Sequence, residues 1–190
     1  MISFRIKGCA VRFYFSFFVF NALIFILRDS RLMLAFYTAC AVHESGHMMA
    51  ILLCGGRIRA VELSGAGIRI VMRKGGIVPV RSSLFVLLAG PAANIIVFLT
   101  VKLAGCNGAF PLLDLTAAVY NMLPYSSLDG GAVIALLTAG TSVERAADTV
   151  LTAVKLIIII CAAAAAYLWG SAAVPLLIAS AALFIGDIRR

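Results

Sequence analysis

Apolar residues fall into six blocks along the chain, separated by short polar or basic stretches. The blocks are residues 13–27, 32–54, 84–104, 110–138, 150–169 and 171–187. A helix needs roughly 20 apolar residues to cross the hydrocarbon core of a bilayer, and the second, third and fifth blocks meet that requirement. The first and last blocks are short. This pattern predicts an all-α polytopic membrane protein with about six transmembrane helices.

The fourth block is interrupted by the polar stretch "NMLPYSSLDGG", residues 121–131. Pro124 and the two glycines at the end of the stretch favour a break in the helix. Irregular backbone at membrane depth is tolerated only where protein buries it or where it lines a wet cavity. We therefore expect a discontinuous helix in this block.

The basic segment 55–82 has a different pattern. In "GIRIVMR", residues 67–73, every second residue is a large apolar one, and two of the residues between them are arginines. The first set is Ile68, Ile70 and Met72, and the second is Arg69, Val71 and Arg73. Alternation with period two predicts a strand with one apolar face. The preceding "IRAVELS" and the connecting "SGAG" indicate a hairpin, so we expect a small membrane-associated β segment at about 56–80. The alternative is a basic, solvated loop.

Composition supports a membrane protein. Of the 190 residues 63% are hydrophobic and 13% are charged, and the mean hydropathy is +1.09, whereas a soluble domain is about half apolar and a quarter charged. This length predicts one integral-membrane domain, residues 1–190, with a core at about 30–140 and accessory spans at 13–27 and 150–187. The five cysteines are scattered without a CxxC pair, so we expect neither disulfides nor a thiolate metal site.

Positive charge lies beside the spans. The net charge of +8 is not gathered into a Lys/Arg block that would track phosphates, so no nucleic-acid partner is expected. With six spans and a cytoplasmic N-terminus, most basic residues fall on the inner side and only Arg28, Arg31 and Lys102 fall outside. Because cytoplasmic loops carry the excess of Lys and Arg, we predict a multi-pass cell-membrane protein with both termini cytoplasmic.

Both histidines of the chain lie in "HESGH", as His43 and His47. Residues four apart share one face of a helix, so both rings can point at one metal ion. Glu44 lies beside that point, where its carboxylate can take a proton from an attacking water. The pattern HExxH on a helix indicates zinc-dependent peptide hydrolysis. The alternative is two core histidines whose polar atoms are satisfied and a glutamate that is paired elsewhere.

A catalytic zinc takes three protein ligands, and no third histidine exists. Most acidic residues lie at span ends or in loops, or, like Asp114, near the membrane interface. Asp129 alone lies well inside a span, in the interrupted fourth block, and the glycines after it allow the backbone to turn. We predict Asp129 as the third ligand and one Zn²⁺ per chain. The remaining alternative is Cys40, one turn before His43, for which a buried structural thiol is the preferred interpretation.

These motifs resemble the site-2 proteases, the intramembrane zinc metalloproteases. "HESGH" with "NMLPYSSLDGG" is similar to the HExxH and NxxPxxxLDG pair of that family, and "LAGPAANII", residues 88–96, is similar to its GPxxN element. The resemblance implies a three-helix catalytic core with a membrane-inserted β segment. The compact layout most resembles the sporulation branch, without the CBS domain that its members usually carry, so nucleotide control is not expected.

The resemblance also implies residue roles. His43, His47 and Asp129 match the zinc ligands of the family and Glu44 matches its general base. Asn121 and Pro124 match the stretch that seats substrate at the active site. Asn121 can also contact the developing oxyanion.

Asn94 is a polar residue in the third span. It is predicted either to lie near the metal and bind substrate or to make an interhelical hydrogen bond that stabilises packing.

The predicted function is intramembrane proteolysis of a single-span or membrane-tethered protein, with the active site in the bilayer toward the cytoplasmic side. An exposed strand edge around 58–73 could pair with the unwound substrate. The bilayer and a membrane regulator protein are further expected partners. The competing hypotheses are a transporter or proton pathway that uses His43, Glu44 and Asp129 as relay groups, and an inactive membrane scaffold.

Overall fold

The computed structural model describes residues 2–6, 8–27, 30–64, 67–72, 79–169 and 174–188. The chain divides into two compact units, Met1–Val119 and Tyr120–Arg190. Each unit is described by itself.

The first unit contains a four-stranded sheet with the order β1-β2-β3-β4. β1 (Ile2–Ile6) pairs with β2 (Cys9–Phe13) in antiparallel fashion, and so does β3 (Ile58–Ser64) with β4 (Gly67–Met72). The β3–β4 pairing confirms the predicted hairpin. The N-terminal pair was not predicted, and its turn includes Gly8, whose φ of 85° favours glycine.

Strands β2 and β3 are parallel, so the chain must cross over between them. Helices α1 (Phe15–Leu27) and α2 (Ser30–Leu53) form this crossover. The two hairpins therefore belong to one sheet, although α1 and α2 lie between them in the sequence. This connection places the N-terminal residues in the same sheet as the predicted β segment.

The sheet has two chemically different faces, because side chains alternate along each strand. Val11 lies opposite Val61, which lies opposite Ile70, so these apolar residues share one face. On the other face Arg12 pairs with Glu62, with its Nη1 atom 2.7 Å from Oε1. The alternation of apolar and polar residues that predicted strand β4 is thus matched by the facing residues of β2 and β3.

Helix α3 (Val80–Leu103) packs against α2, and α4 (Ala109–Asn121) follows it. The close approach of α2 and α3 depends on Gly46, where a Cβ atom would overlap the carbonyl oxygen of Ala89 and the side chain of Ala93. Pro91 is buried within α3. The glycine in the middle of "HESGH" therefore has a packing role.

The second unit begins at the end of α4 and continues through the interrupted segment to α5 (Asp129–Thr138), α6 (Glu144–Trp169) and α7 (Val174–Ile188). Residues 122–128 form turns. The predicted break in the fourth apolar block is thus confirmed, and Asp129 is the first residue of the new helix.

Within the described part of the chain, two helices are long and apolar enough to cross a membrane, Val80–Leu103 and Glu144–Leu168. Only 17% and 6% of their most apolar windows are buried, whereas the core helix of a soluble protein would be mostly buried. Apolar helices with exposed sides indicate a membrane protein. The predicted six spans and the orientation of the termini stay predictions, as does the single domain at 1–190.

Candidate metal centre

The two histidines lie one turn apart on α2 and their rings meet. His43 and His47 are 6% and 9% exposed, and their Nε2 atoms are 3.1 Å apart. The ring planes are nearly perpendicular, at 84°. The helical spacing that predicted a shared target for the two rings is therefore realised in the side-chain positions.

The other nitrogen of each ring faces an oxygen acceptor. The Nδ1 atom of His47 lies 2.7 Å from the carbonyl oxygen of Val86, which can only accept a hydrogen bond. The Nδ1 atom of His43 lies 2.9 Å from Oδ1 of Asn94. Each Nδ1 atom is therefore placed to donate its proton, and in the neutral form of each ring Nε2 is then the nitrogen that can bind a metal.

The contacts of Asn94 fix which of its side-chain atoms faces His43. Its Nδ2 atom lies 3.0 Å from the carbonyl oxygen of Ala39 and 2.7 Å from Oδ1 of Asp114. Because both are acceptors, the amide NH₂ group must point at them and Oδ1 must point at His43. One side chain thus links α2, α3 and α4.

Asp114 is the outermost member of this chain of hydrogen bonds. It is 0% exposed, as is Asn94, and its Oδ2 atom has no hydrogen-bond partner among the described residues. Its expected position near the membrane interface did not suggest this role. The sequence signal was present, since a carboxylate inside an apolar block is costly unless it has a partner, but nothing in the sequence paired Asp114 with Asn94.

When both rings are neutral and carry their proton on Nδ1, the two Nε2 lone pairs face each other at 3.1 Å and repel. A shared cation removes this repulsion. Two nitrogen ligands at a zinc–nitrogen distance of about 2.0–2.1 Å and a tetrahedral angle are about 3.3 Å apart. The pair therefore fits a tetrahedral metal such as zinc, and the hydrogen bonds at Nδ1 are those that orient metal-binding histidines in proteins.

The space for the His47 ring depends on Gly90 of α3. A Cβ atom at this position would overlap Nε2, Cε1 and Cδ2 of that ring. Gly90 is buried, as is the following Pro91. Gly90 of "LAGPAANII" therefore leaves room for the His47 ring, and Asn94 of the same motif orients His43.

The remaining predicted residues lie on α2 and in the interrupted segment. Glu44 is half-buried on α2 beside His43. Asp129 is half-buried at the start of α5, Asn121 ends α4, and Pro124 lies in the turns between the two helices. His43, His47 and Asp129 form a group that could hold a metal ion, each offering one ligand atom.

Asn94, the third predicted substrate residue, makes the interhelical hydrogen bond that was the alternative for it. Its contact with His43 also places it beside the metal-binding atoms. Substrate contacts of Asn94, Asn121 and Pro124 stay predictions. The thiol of Cys40 is free and half-buried.

The fold is similar to that of a solved structure. The chain matches the site-2 protease from Methanocaldococcus jannaschii over 99% of its own length and 94% of that chain, with a TM-score of 0.64 and 20% sequence identity. The resemblance found in the motifs is thereby confirmed at the level of the fold. The assignment to the sporulation branch stays a prediction. No family model matches the sequence, and no curated protein matches it.

Proposed function

We propose that the chain is a zinc-dependent intramembrane endopeptidase that cleaves a peptide bond in or near a transmembrane segment of a membrane-tethered protein. The observation that carries this proposal is the geometry of His43 and His47, whose Nε2 atoms are 3.1 Å apart while each Nδ1 atom faces an oxygen acceptor. Glu44 follows His43 directly on the same helix. The likeness to a site-2 protease fold supports the same reading.

The ligands in this proposal are His43, His47 and Asp129, with one zinc ion per chain. Two neutral imidazoles and one carboxylate are a donor set that catalytic zinc accepts, with one further position open to water. Zinc held by these residues supplies a Lewis acid and lowers the pKa of a coordinated water. Asn94 and Val86 accept from the two Nδ1 atoms, so that Nε2 of each neutral ring is the nitrogen that would bind the zinc.

Glu44 acts as the general base. Its carboxylate takes a proton from the water whose oxygen bonds to the carbonyl carbon of the substrate peptide. As the carbon–nitrogen bond breaks, the same carboxyl group returns the proton to the leaving nitrogen. The net reaction adds one water and yields one carboxylate end and one amine end.

Substrate binding involves the interrupted segment and the sheet. We assign Asn121 and Pro124 to the seating of the unwound substrate beside the catalytic carboxylate, whereas the fully buried Asn94 acts through His43. Strand β4 is an edge strand of the sheet, and an edge strand offers backbone groups for the addition of an extended peptide. The substrate is a single-span or membrane-tethered protein, and the enzyme is a multi-pass membrane protein with cytoplasmic termini.

The proposal is tested by cleavage of a model single-span substrate in detergent or proteoliposomes. Glu44→Gln should abolish cleavage and keep the bound zinc, because the change removes the base and leaves both imidazoles in place. The matched change Glu144→Gln, at the exposed start of α6, should leave cleavage unchanged. Cleavage that survives Glu44→Gln, or ion movement across proteoliposomes that depends on Glu44 without any cleavage, would overturn the proposal.

A further inference from the structure

The carboxylate of Asp187 on α7 binds the interrupted segment of the second unit. Its Oδ1 atom accepts hydrogen bonds from the hydroxyl of Ser126 at 2.6 Å and from the backbone nitrogen of Ser126 at 3.0 Å. Its Oδ2 atom lies 3.2 Å from the same nitrogen. One side chain of α7 therefore binds the hydroxyl and the backbone N–H group of Ser126, which lies three positions before Asp129.

Lys155 of α6 completes this cluster. Its Nζ atom lies 2.5 Å from Oδ2 of Asp187, and the two side chains are 14% and 10% exposed. The same ammonium group lies 5.9 Å from the ring centroid of Tyr125, which is fully buried. An ion pair with this little exposure is costly unless its charges are hydrogen-bonded, and Ser126 adds two hydrogen bonds to the carboxylate. We call Lys155, Asp187 and Ser126 the α6–α7 clamp.

The segment between the clamp and Asp129 has little freedom to move. The backbone nitrogen of Leu128 donates to the carbonyl oxygen of Tyr125 at 2.9 Å. A Cβ atom at Gly131 would overlap that same carbonyl group, and a Cβ atom at Gly130 would overlap the carbonyl group of Met122. The first turn of α5 is thus packed directly onto the turns that the clamp holds.

We propose that Lys155 and Asp187 are positioning residues for the metal site, because they fix the turns on which the backbone of Asp129 rests. This inference depends on the proposed function, in which Asp129 is the third zinc ligand. Lys155 and Asp187 both lie outside the "HESGH" and "NMLPYSSLDGG" motifs, whereas Ser126 is part of the second motif. The inference therefore gives the last two helices of the chain a positioning role for Asp129, beyond that of accessory spans.

The test measures zinc affinity of the full chain by competition with a chelator, with zinc alone as the probe. Asp187→Leu should weaken zinc binding about 10- to 100-fold, the usual loss when a supporting residue of a metal site is removed. Lys155→Arg keeps the charge and should stay within a few-fold of wild type. Asp148→Asn, an exposed carboxylate on α6, should bind zinc as wild type does.

A second variant separates positioning from folding. Asp187→Leu leaves Lys155 without its partner, whereas the double variant Lys155→Met/Asp187→Leu contains no buried charge and should fold even if the single variant does not. The double variant still lacks the hold on Ser126, so its zinc affinity should stay low. Its kcat should fall more than its KM rises, since Asp129 rather than the substrate is displaced.

The outcomes separate the two proposals. Zinc affinity and kcat equal to wild type in the folded double variant would overturn the role of the clamp and leave the proposed function intact. Wild-type protein that binds no zinc would overturn the proposed function, and the clamp inference with it. Weak zinc binding in both clamp variants, with normal binding in Asp148→Asn, is the result we expect.

Discussion

The Nδ1 atom of His43 lies 2.9 Å from Oδ1 of Asn94, 51 residues further along the chain. Since Asn94 in turn donates to the buried carboxylate of Asp114, three residues on three helices determine which nitrogen of His43 carries the proton. These hydrogen bonds orient the His43 ring so that Nε2 points toward the metal position. Substitution of Asn94 or Asp114 should therefore weaken zinc binding although neither residue is a ligand.

Asp114 should influence zinc affinity although it contacts no ligand. Asp114→Leu removes the acceptor that orients Asn94, so we expect zinc to bind about 10- to 100-fold more weakly. Asp114→Asn keeps an oxygen at the acceptor position and should cause a smaller loss. Chelator competition on the purified variants measures both. Equal zinc affinities of Asp114→Leu and the wild type would show that Asn94 keeps its orientation without the hydrogen bond to Asp114.

Substitutions in the Asn94–Asp114 pair should change the free energy of unfolding and the zinc affinity in different ways. Asn94→Leu leaves the Asp114 carboxyl group buried and unsatisfied, which should cost about 1–3 kcal/mol in the free energy of unfolding. The double variant Asn94→Leu/Asp114→Leu replaces both groups by apolar ones and should recover much of that loss. Zinc affinity should not recover, because His43 still lacks its acceptor. Denaturation of the metal-free proteins and chelator competition together give the two quantities.

Gly90 should be intolerant of any side chain. Gly90→Ala places a methyl group against the His47 ring, so we expect at least about a tenfold loss of zinc affinity as the ring is displaced. Gly186→Ala is the matched control, because a Cβ atom there has no neighbour within 4 Å. A Gly90→Ala variant with the zinc affinity of the control would mean that the His47 ring lies elsewhere.

Substitutions in the edge strand β4 should weaken cleavage of the substrate and leave the zinc content unchanged. Proline or a charged residue in place of Ile70 disturbs the edge of β4 where the substrate strand would add, so kcat/KM for a single-span substrate should fall at least about tenfold. Zinc content should stay at the wild-type level, and circular dichroism should show an intact fold. Unchanged cleavage across substitutions at 68–72 would remove the sheet from the binding model.

Much of the fold follows from local pattern. The six apolar blocks coincide with the helices, the polar stretch with Pro124 breaks the fourth block, and the alternation at 67–72 forms a strand. Local signals suffice here because helix length, proline and side-chain alternation act within a few residues. The same holds for "HESGH", whose two rings are brought together by one helical turn.

Other features depend on residues far apart in sequence. β2 pairs with β3, which joins residues 50 positions apart such as Arg12 and Glu62. The acceptor for Asn94 lies 20 residues away, and the partners Ser126 and Asp187 are 61 residues apart. Asp187 looked like a solvated residue at the end of a span, and only tertiary packing shows it buried against Lys155.

The zinc content of the purified protein tests the central claim most directly. Wild-type protein should hold about one zinc per chain by elemental analysis, and His43→Ala, His47→Ala and Asp129→Ala should each lose it. Asp148→Asn, prepared in the same way, should keep it. A correctly folded wild-type protein without zinc, or an Asp129→Ala variant that retains zinc at full occupancy, would contradict the metal site on which the account rests.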